Sequence, residues 1–428
     1  MSKISEITAG ASLINKSLME EVRSKFHYVD ECPYAGKRIY FESAGGSLTL
    51  KSVVEHSSML SAVPDNEHRN NPASLALTKI VSKGIEDLKT FFGAKSGVVF
   101  GGETGSECLF RLVRSASMAA RSGGSILSSA VEHPSTYSAT QIWAKNTNRD
   151  WIDVPFNTQT SVVSAEDYAA FVRPDTRVAT VIHTNPVTGV VMDVKAIVDA
   201  IRAIAPECFI IVDGIQHAPH GYLDVESYGA DAYVLSLYKM YSKFNNGYAW
   251  VSERMSIIPH DRLIGKPDSV WELGSRDPSA LVAITEVVNY LAWLGGRFTQ
   301  KTSTRDQLHV AGKIMQHHEH GLISTLFNGT KKYTGLLNTK GITMVGTTDI
   351  KQREGVVAFS VEGWSATDLV ALLGERGIRI HARSNDLYSG NILRPLGLES
   401  VARVSFAHYN TQEEIEFFLE QLLGIIKK

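Results

Sequence analysis

Short apolar runs alternate with amphipathic segments through the middle of the chain. The apolar runs are rich in β-branched residues and bounded by turn residues, which predicts strands, while the segments between them repeat apolar positions at helical spacing. The predicted strands cover residues 97–100, 125–129, 178–183, 209–213, 232–236 and 248–252, and the predicted helices cover residues 107–121 and 194–204. Strands that alternate with helices indicate a parallel or mixed sheet covered on both faces.

The pattern changes after about residue 300. A long predicted helix at 305–326 is followed by strands at 341–345 and 355–361, a helix at 365–376, strands at 378–382 and 402–406, and a final helix at 411–426. Asn410 or Thr411 is the predicted cap of that last helix, and acidic residues occupy its first turn. These elements predict a second, smaller unit.

We therefore expect an α/β fold with a large mixed-sheet domain and a small α+β C-terminal domain. A chain of 428 residues is longer than one hydrophobic core usually serves. The predicted divisions are an N-terminal segment at 1–30, with a helix at 17–26, that joins the small domain; the large domain at 31–300; and the small domain at 301–428.

Composition narrows the classes of function. The chain is 43% hydrophobic and 21% charged, with a formal net charge of −2, so we expect no nucleic-acid or anionic-membrane partner. No apolar run approaches the roughly 18 residues that span a bilayer, and no secretory signal is visible. Cys32, Cys108 and Cys208 are far apart and in no metal-ligand spacing, which predicts reduced thiols in a cytoplasmic protein and no metal site.

A glycine-rich turn, FGGETGS at 100–106, follows the first strand of the alternating region. In open α/β sheets, ligands bind at the carboxyl ends of the strands. Gly102, Glu103 and Thr104 lie in this turn, where small residues let an anion approach the free N–H groups at a helix start. An ordinary strand–helix turn explains the segment equally well. It is neither a GxGxxG nor a Walker sequence, so a dinucleotide or ATP site is not supported.

Three further side chains follow strands of the same predicted sheet. Asp213 ends a buried strand, where a carboxylate is costly unless a cation such as a protonated pyridine nitrogen meets it. Lys239 follows another apolar strand and is either a surface lysine or an amine nucleophile with a lowered pKa. His133 is placed to stack on a flat aromatic cofactor. Helix capping by the aspartate and a hydrogen-bonded core histidine are the ordinary structural alternatives.

These four features have the order and spacing found in pyridoxal 5′-phosphate (PLP) enzymes of the aspartate aminotransferase fold, fold type I. The sequence resembles the class V aminotransferase family, which includes the cysteine desulfurases. The resemblance runs from Tyr40 to the C-terminus and lies in YFESAGG at 40–46, VDGIQ at 212–216, ELGS at 272–275 and RVSFAHYNT at 403–411. It implies a PLP-dependent transferase fold with PLP as the cofactor.

The resemblance also implies residue roles. Lys239 would form a Schiff base with the cofactor and move the substrate α-proton, Asp213 would pair with the pyridine nitrogen, and His133 would stack on the ring. The other implied cofactor contacts are Gln216 at the phenolic oxygen, Thr104, Ser236 and the amides of residues 102–105 at the phosphate, Asn185, Tyr238, and Ser275 from a neighbouring subunit. Arg403 would clamp the carboxylate of a small-molecule amino-acid substrate, beside Ala44, Gly45 and Asn185, and the shared Ser275 implies a homodimer.

The sequence departs from the cysteine desulfurases around the site. Tyr238 stands where a phosphate-binding histidine is common, and SKFNNG at 242–247 differs from the usual loop after the lysine. The loop RSNDLYSG at 383–390 has no cysteine where desulfurases carry their nucleophile. Because a persulfide needs a thiolate, and no cysteine lies in a matching segment, we reject a persulfide-forming desulfurase.

Several functions stay open at this point. The first is a lyase-type reaction on an L-amino acid, by β-elimination or by cleavage at Cβ or the α-carboxylate followed by carbon–carbon bond formation. An aminotransferase is the second, and the third is an epimerase with His217, Tyr238 or His381 as the opposing acid/base. A binding module that keeps the fold is the fourth. Arg69 and Arg383 suggest an acidic substrate side chain, although solvated surface arginines are at least as common.

Overall fold

The computed structural model describes residues 14–427. Its strands form two main sheets and two short two-stranded pairs. The strands are β1 (Glu31–Cys32), β2 (Gly36–Lys37), β3 (Ile39–Tyr40), β4 (Val98–Gly102), β5 (Ser125–Ser129), β6 (Asp150–Val154), β7 (Thr176–Ile182), β8 (Phe209–Asp213), β9 (Ala232–Ser236), β10 (Gly247–Val251), β11 (Ile342–Val345), β12 (Val356–Val361), β13 (Ile378–Arg379), β14 (His381–Ser384) and β15 (Ser400–Ser405).

The larger sheet confirms the predicted mixed α/β architecture. Its seven strands run in the order β4-β10-β9-β8-β7-β5-β6. Strand β10 is antiparallel to both of its neighbours, and the other pairs are parallel. Strands β8 and β9 are apolar along most of their length and buried, as expected where helices cover both faces of a parallel sheet.

Fourteen helices within residues 14–427 surround the sheets. They are α1 (Lys16–Ser24), α2 (Lys51–Ser61), α3 (Pro72–Phe92), α4 (Gly105–Ala119), α5 (Pro134–Asn146), α6 (Ala165–Phe171), α7 (Val194–Ile204), α8 (Val225–Tyr228), α9 (Glu253–Ser256), α10 (Pro278–Gly296), α11 (Thr304–Asn328), α12 (Ala366–Glu375), α13 (Gly390–Leu393) and α14 (Gln412–Ile426). The predicted start of α14 is confirmed, because the Thr411 hydroxyl and the Glu414 carboxylate form a reciprocal capping box.

The smaller sheet is antiparallel throughout, in the order β11-β12-β15-β14. The single strand predicted at 378–382 is wrong, because the chain changes partners at Ile380. Strand β13 pairs in parallel with β3, whereas β14 pairs with β15. Ile378 and Ile380 both face the core of the smaller unit, so burial holds this segment in place while its hydrogen bonds pass from one sheet to the other.

Helix α10 corrects the expectation that no segment is long and apolar enough to cross a membrane. By length and composition its 19 residues suffice. Its apolar side chains are nevertheless used inside the protein. Leu281, Ile284, Val287, Val288 and Leu291 belong to the main hydrophobic core, and the helix packs against α2, α3 and α11.

Helix α1 connects to both units. Val22 and Phe26 lie in the core that also contains the large sheet. On another face, the Arg23 guanidinium donates to the Tyr409 carbonyl oxygen at 2.8 Å and to the Glu414 carboxylate at 3.0 Å. The divisions at residues 30/31 and 300/301 stay predictions, and residues 1–13 of the N-terminal segment lie outside the described residues.

Candidate active site

Lys239 lies in a short 3-10 turn directly after β9. Its side chain is only 6% exposed, and its Nζ donates to Gln216 Oε1 at 2.8 Å. Burial lowers the pKa of the Lys239 amine to about 7, and the positive charges of Arg403 and Arg383 add to that effect. A large share of the amine is therefore neutral near pH 7, as a Schiff-base nucleophile requires.

Asp213 ends β8 and is also buried. One carboxylate oxygen accepts from the Thr136 hydroxyl and the other from the Ile215 N–H, each at 3.1 Å. Burial raises the pKa of the Asp213 carboxyl, while these hydrogen bonds and the charge of Lys239 act in the opposite direction. A cation placed against this carboxylate would stabilise its ionised form, which is what a protonated pyridine nitrogen provides.

Two hydroxyl groups lie at the start of α4. Ser236 Oγ accepts from the Gly105 N–H at 3.0 Å, and Thr104 Oγ1 accepts from the Glu107 N–H at 3.1 Å. Since a hydroxyl accepts through its lone pairs and donates through its hydrogen, both groups keep an O–H for an anion. The Glu103 N–H is already donated to the Glu107 carboxylate. The Glu103 amide is therefore excluded from the predicted phosphate site, and the two hydroxyls and the remaining amides of the turn are the donors left to bind a phosphate.

The prediction that Gly102 lies in the turn after the strand is wrong, because Gly102 is the last residue of β4 and pairs with Gly247. Its carbonyl oxygen accepts from the Arg276 guanidinium at 2.6 Å. A Cβ atom on the neighbouring Gly101 would lie 2.5 Å from the same guanidinium, and one on Gly102 would lie 2.9 Å from Cys108 Sγ. The glycines are thus needed for packing against side chains.

His133 occupies the N-cap position of α5. Its Nδ1 lies 2.7 Å from Ser135 Oγ, and that hydroxyl also lies 2.6 Å from Ser106 Oγ at the start of α4. Burial, with the charges of Lys239 and Arg383, lowers the pKa of the His133 imidazole to about 3. At neutral pH the ring is uncharged, which suits a stacking partner for an aromatic cofactor.

Asn185 and Arg403 meet at the loop after β7. Asn185 Oδ1 accepts from the N–H groups of Val187 and Thr188 at 2.8 and 2.9 Å, so its oxygen shapes the loop. The predicted contact of Asn185 with a ligand stays a prediction. Arg403 donates to the Pro186 carbonyl oxygen at 2.8 Å, while its Nε is buried without a partner.

The segment with Ala44 and Gly45 lies between β13 and β15. The Ala44 N–H donates to Ser405 Oγ at 2.9 Å, and the Gly45 N–H donates to the Glu42 carbonyl oxygen at 2.8 Å. Both amides are therefore already used. The segment is nevertheless close to Arg403, because Ser405 is two residues further along the same strand.

Tyr238 and Ser275 lie at the outer side of the site. The Tyr238 ring stacks on Phe244 with centroids 4.6 Å apart, and the Lys239 Nζ lies 6.0 Å from the Tyr238 ring centroid. Ser275 lines a cavity of about 500 Å³ together with Gly102 and Glu103. The contact of Ser275 with a neighbouring subunit stays a prediction.

The other acid/base candidates have different surroundings. His217 Nδ1 lies 2.5 Å from the Glu354 carboxylate, and its ring stacks on His183 with centroids 3.5 Å apart. His381 pairs with the Glu42 carboxylate at 3.2 Å. Among residues 14–427, no group of three or more histidine, cysteine, aspartate or glutamate side chains is arranged to hold a metal ion.

Thr136 and Glu132 are site residues that sequence reasoning missed. Thr136 is in the first turn of α5 and reaches Asp213 across the sheet edge. Glu132 is fully buried, and burial next to Asp213 raises the pKa of its carboxyl well above its usual range. Their position next to His133 was the available signal, since residues that begin a helix at the carboxyl edge of a sheet face the ligand site.

These observations fit PLP. A buried amine, a buried carboxylate without a cation bonded to it, an uncharged imidazole and two spare hydroxyl donors are the groups that a phosphorylated pyridine aldehyde requires. Lys239, Asp213, Gln216, His133, Ser236 and Thr104 would hold it.

Comparisons with known proteins agree with this geometry. A family model described as aminotransferase class-V matches residues 39–418. The chain is 26% identical over 322 residues to a probable cysteine desulfurase of Xylella fastidiosa, which covers 72% of this chain and 70% of that protein. It is 25% identical over 436 residues to the cysteine desulfurase-like protein ustD of Aspergillus flavus, covering 96% and 91%.

The fold also matches a solved structure. An apo structure of a cysteine desulfurase from Thermococcus onnurineus NA1 superposes with a TM-score of 0.80 at 20% identity, and the match covers 95% of this chain and 98% of that one. The predicted fold, PLP fold type I, is confirmed.

Proposed function

Since this chain belongs to the class-V aminotransferase family, we propose that it is a lyase whose substrate is an L-amino acid with a second carboxylate in its side chain. The family is PLP-dependent, and the chain is a PLP-dependent enzyme. The proposal concerns the substrate class and the type of reaction. It excludes the formation of a persulfide on the enzyme.

The observation that carries the proposal is a pair of arginines, Arg403 and Arg383, that form no salt bridge within residues 14–427. Arg403 is 3% exposed and bonds one carbonyl oxygen. Arg383 is half-buried, and its donors go to Ser389 Oγ at 2.7 Å and the Tyr388 carbonyl oxygen at 2.9 Å. Burial lowers the pKa of both guanidinium groups, and for Arg403 the repulsion from Arg383 contributes. Two neighbouring cations beside Lys239 favour a ligand with two negative charges.

In the proposed reaction, Asp213, Arg403 and Lys239 have different roles. When bound, PLP supplies the electron sink that lets a bond at the substrate Cα break. Asp213 would hold the proton at the pyridine nitrogen, and Arg403 would bind the α-carboxylate in a two-point contact. Lys239 Nζ would take the proton from Cα and later return it, which its lowered pKa allows near pH 7. Because Arg403 retains the α-carboxylate, the proposed cleavage is at Cβ. With L-aspartate, the bond from Cβ to the side-chain carboxylate would break, carbon dioxide would leave, and Cβ would take up a proton in its place.

The cysteines support the exclusion of a persulfide. The thiols of Cys108 and Cys208 are buried, and burial raises the pKa of each to about 12. The thiol of Cys32 has a lowered pKa, but Cys32 lies on the β1–β2 hairpin and not in the loop at 383–390, where desulfurases carry their nucleophile. We expect no persulfide on the protein after incubation with L-cysteine. A persulfide that forms on the wild-type protein and is lost in Cys32→Ser would contradict this part of the proposal.

The substrate class is tested with two arginine variants of the holoenzyme. We expect Arg383→Met to weaken the binding of L-aspartate, measured by the change in visible absorption of the holoenzyme, by roughly 10- to 100-fold, the worth of one charged hydrogen bond, and to leave the binding of L-alanine much less affected. Arg121→Met is the matched control, because Arg121 is an exposed arginine that has no predicted role in the site. Equal losses for both substrates would contradict the second carboxylate, and the absence of turnover with every amino acid would contradict the lyase.

An aminotransferase is the second candidate, since Arg403 would serve donor and acceptor carboxylates in turn. The visible spectrum separates the two reactions. A lyase regains its yellow absorption as product forms, whereas an aminotransferase loses it until a keto acid is added.

We also propose that the active protein is a homodimer in which Ser275 contributes to the partner's site. The flanking segment exposes apolar side chains, Ile257, Leu263, Ile264 and Leu273, which a second copy would cover. Mixing Lys239→Ala with Ser275→Ala protein should restore part of the activity, because one of the two sites in a mixed dimer would be intact. A monomer by light scattering at working concentration would overturn this.

A further inference from the structure

A buried row of polar side chains continues behind Lys239. Lys239 Nζ donates to Gln216 Oε1 at 2.8 Å, and Gln216 Nε2 lies 3.4 Å from His220 Nε2. His220 Nδ1 lies 2.8 Å from the Glu319 carboxylate on α11. The side chains of His220 and Glu319 are 2% and 1% exposed. The pair is sealed from water, and its hydrogen-bonded connection to the site runs through Gln216.

The contact between Gln216 and His220 joins two nitrogens, and only one of them can donate. A neutral His220 with its proton on Nδ1 accepts from the Gln216 amide nitrogen. A charged His220 is a donor at both nitrogens, so only Gln216 Oε1 can accept from it. In that case the Gln216 side-chain amide is rotated by about 180°, so that its nitrogen faces Lys239. The charge of His220 therefore decides which end of the amide points into the site.

Several charged groups set the state of His220. Burial disfavours its charge, while Glu319, which contacts it, and Glu354 favour it, and Lys239 opposes it; together they raise the pKa of the His220 imidazole. Other titratable side chains around the pair are His217 on the same loop, His408, Tyr241 and Tyr409. Glu319 is the acid that contacts His220 directly among the described residues, so its carboxylate is the group to change.

We propose that His220 and Glu319 are a positioning pair that turns the Gln216 amide so that its nitrogen donates to the phenolic oxygen of the bound cofactor. This inference rests on one part of the proposed function, namely that PLP is held at Lys239. It does not depend on which amino acid is the substrate or on which bond breaks. A donor at that oxygen stabilises its negative charge, which matters most when the neighbouring imine nitrogen has lost its proton. The pair thereby lowers the pH at which the holoenzyme changes its visible absorption.

The test is a pH titration of the visible spectrum of purified holoenzyme. Glu319→Gln should raise the midpoint by about one pH unit, because His220 becomes neutral and the amide oxygen turns to the cofactor. Glu354→Gln is the matched control. It removes the acid of the other buried histidine–glutamate pair, which does not contact Gln216 and favours the charge of His220 only from a distance, so the midpoint should shift by much less than in Glu319→Gln.

A double variant separates positioning from a general structural effect. In a Gln216→Leu background, Glu319→Gln should shift the midpoint no further, because the amide that transmits the effect is gone. Equal shifts in both backgrounds, or an equal shift in Glu354→Gln, would overturn the inference. A lyase test that fails while these shifts occur would contradict the proposed function and leave the positioning pair in place.

A second measurement covers the case in which Glu319→Gln does not fold. Nitrogen NMR of histidine-labelled wild-type holoenzyme reports both imidazole nitrogens of His220, identified by their loss in His220→Asn. We expect both nitrogens to carry a proton at pH 7. A neutral His220 in the holoenzyme would overturn the inference without any variant of Glu319.

Discussion

Arg353 and Arg403 are two buried arginines with similar burial and different surroundings. Their exposed fractions are 0% and 3%, and burial lowers the pKa of each guanidinium to about 9. Within residues 14–427 neither forms a salt bridge with a carboxylate, and the hydrogen bonds of both go to backbone carbonyl oxygens. On burial and charge alone, the two would be expected to have the same role.

The partners of their N–H groups separate them. Arg353 donates to the carbonyl oxygens of Thr188, Thr347 and Val356, and its guanidinium lies over the Phe327 ring. Arg403 donates to one carbonyl oxygen and is repelled by Arg383. The Nε of each arginine is buried without a partner, but Arg353 donates from both terminal nitrogens, whereas Arg403 donates from Nη1. Arg353 therefore holds loops of the two units together, and Arg403 has a terminal nitrogen left for a ligand. The comparison teaches that unused donors distinguish a binding arginine from a structural one better than burial does.

Replacement of Arg403 should have the largest effect. Arg403→Met removes both donors to the substrate α-carboxylate, so we expect kcat/KM to fall by roughly 100- to 1000-fold, about 3–4 kcal/mol. Steady-state kinetics on the holoenzyme measures this. Arg353→Met, compared at a temperature where both variants are folded, should keep kcat/KM within about fivefold. Equal losses in the two variants would erase the distinction between them.

The stability of the same two variants should change in opposite directions. Arg353→Met leaves buried carbonyl oxygens unpaired, so the free energy of unfolding should fall by about 3 kcal/mol. Arg403→Met removes a buried charge that forms no salt bridge within residues 14–427, and its unfolding free energy should stay the same or rise by about 1 kcal/mol. Urea denaturation of the apo-proteins measures both changes. A large loss of stability in Arg403→Met would mean that its guanidinium supports the fold.

The sequence predicted the local part of this arrangement. Strands β8 and β9 and helix α7 lie at their predicted bounds, because a short β-branched run between turns and a regular helical repeat are local patterns. Lys239 and Asp213 were identified for the same reason, since each directly follows such a strand. The cofactor followed from their order along the chain.

The rest depends on contacts between distant positions. Gly102 was assigned to an anion turn, but its environment is set by Arg276, 174 positions away. His220 contacts Glu319, which lies 99 positions later in the chain, and no local sequence pattern predicts that pair. The strand predicted at 378–382 divides because its second partner, β15, comes later in the chain. The sequence did not predict that Arg353 is buried, because an isolated arginine is usually interpreted as a surface residue.

The smallest predicted effect is a shift in the pH dependence of Lys239. The pKa of its amine is about 7, lowered first by burial and then by the charge of Arg403. The rate at which apo-protein takes up PLP, followed by its visible absorption, should therefore rise with pH through a midpoint near 7. Removing the positive charge in Arg403→Met makes the ammonium form less costly, so the midpoint should move up by roughly half a unit to one unit. Arg353 is not among the charges that lower this pKa, so Arg353→Met should leave the midpoint unchanged. A midpoint equal in wild type and Arg403→Met would mean that the charge of Arg403 does not lower the pKa of the Lys239 amine.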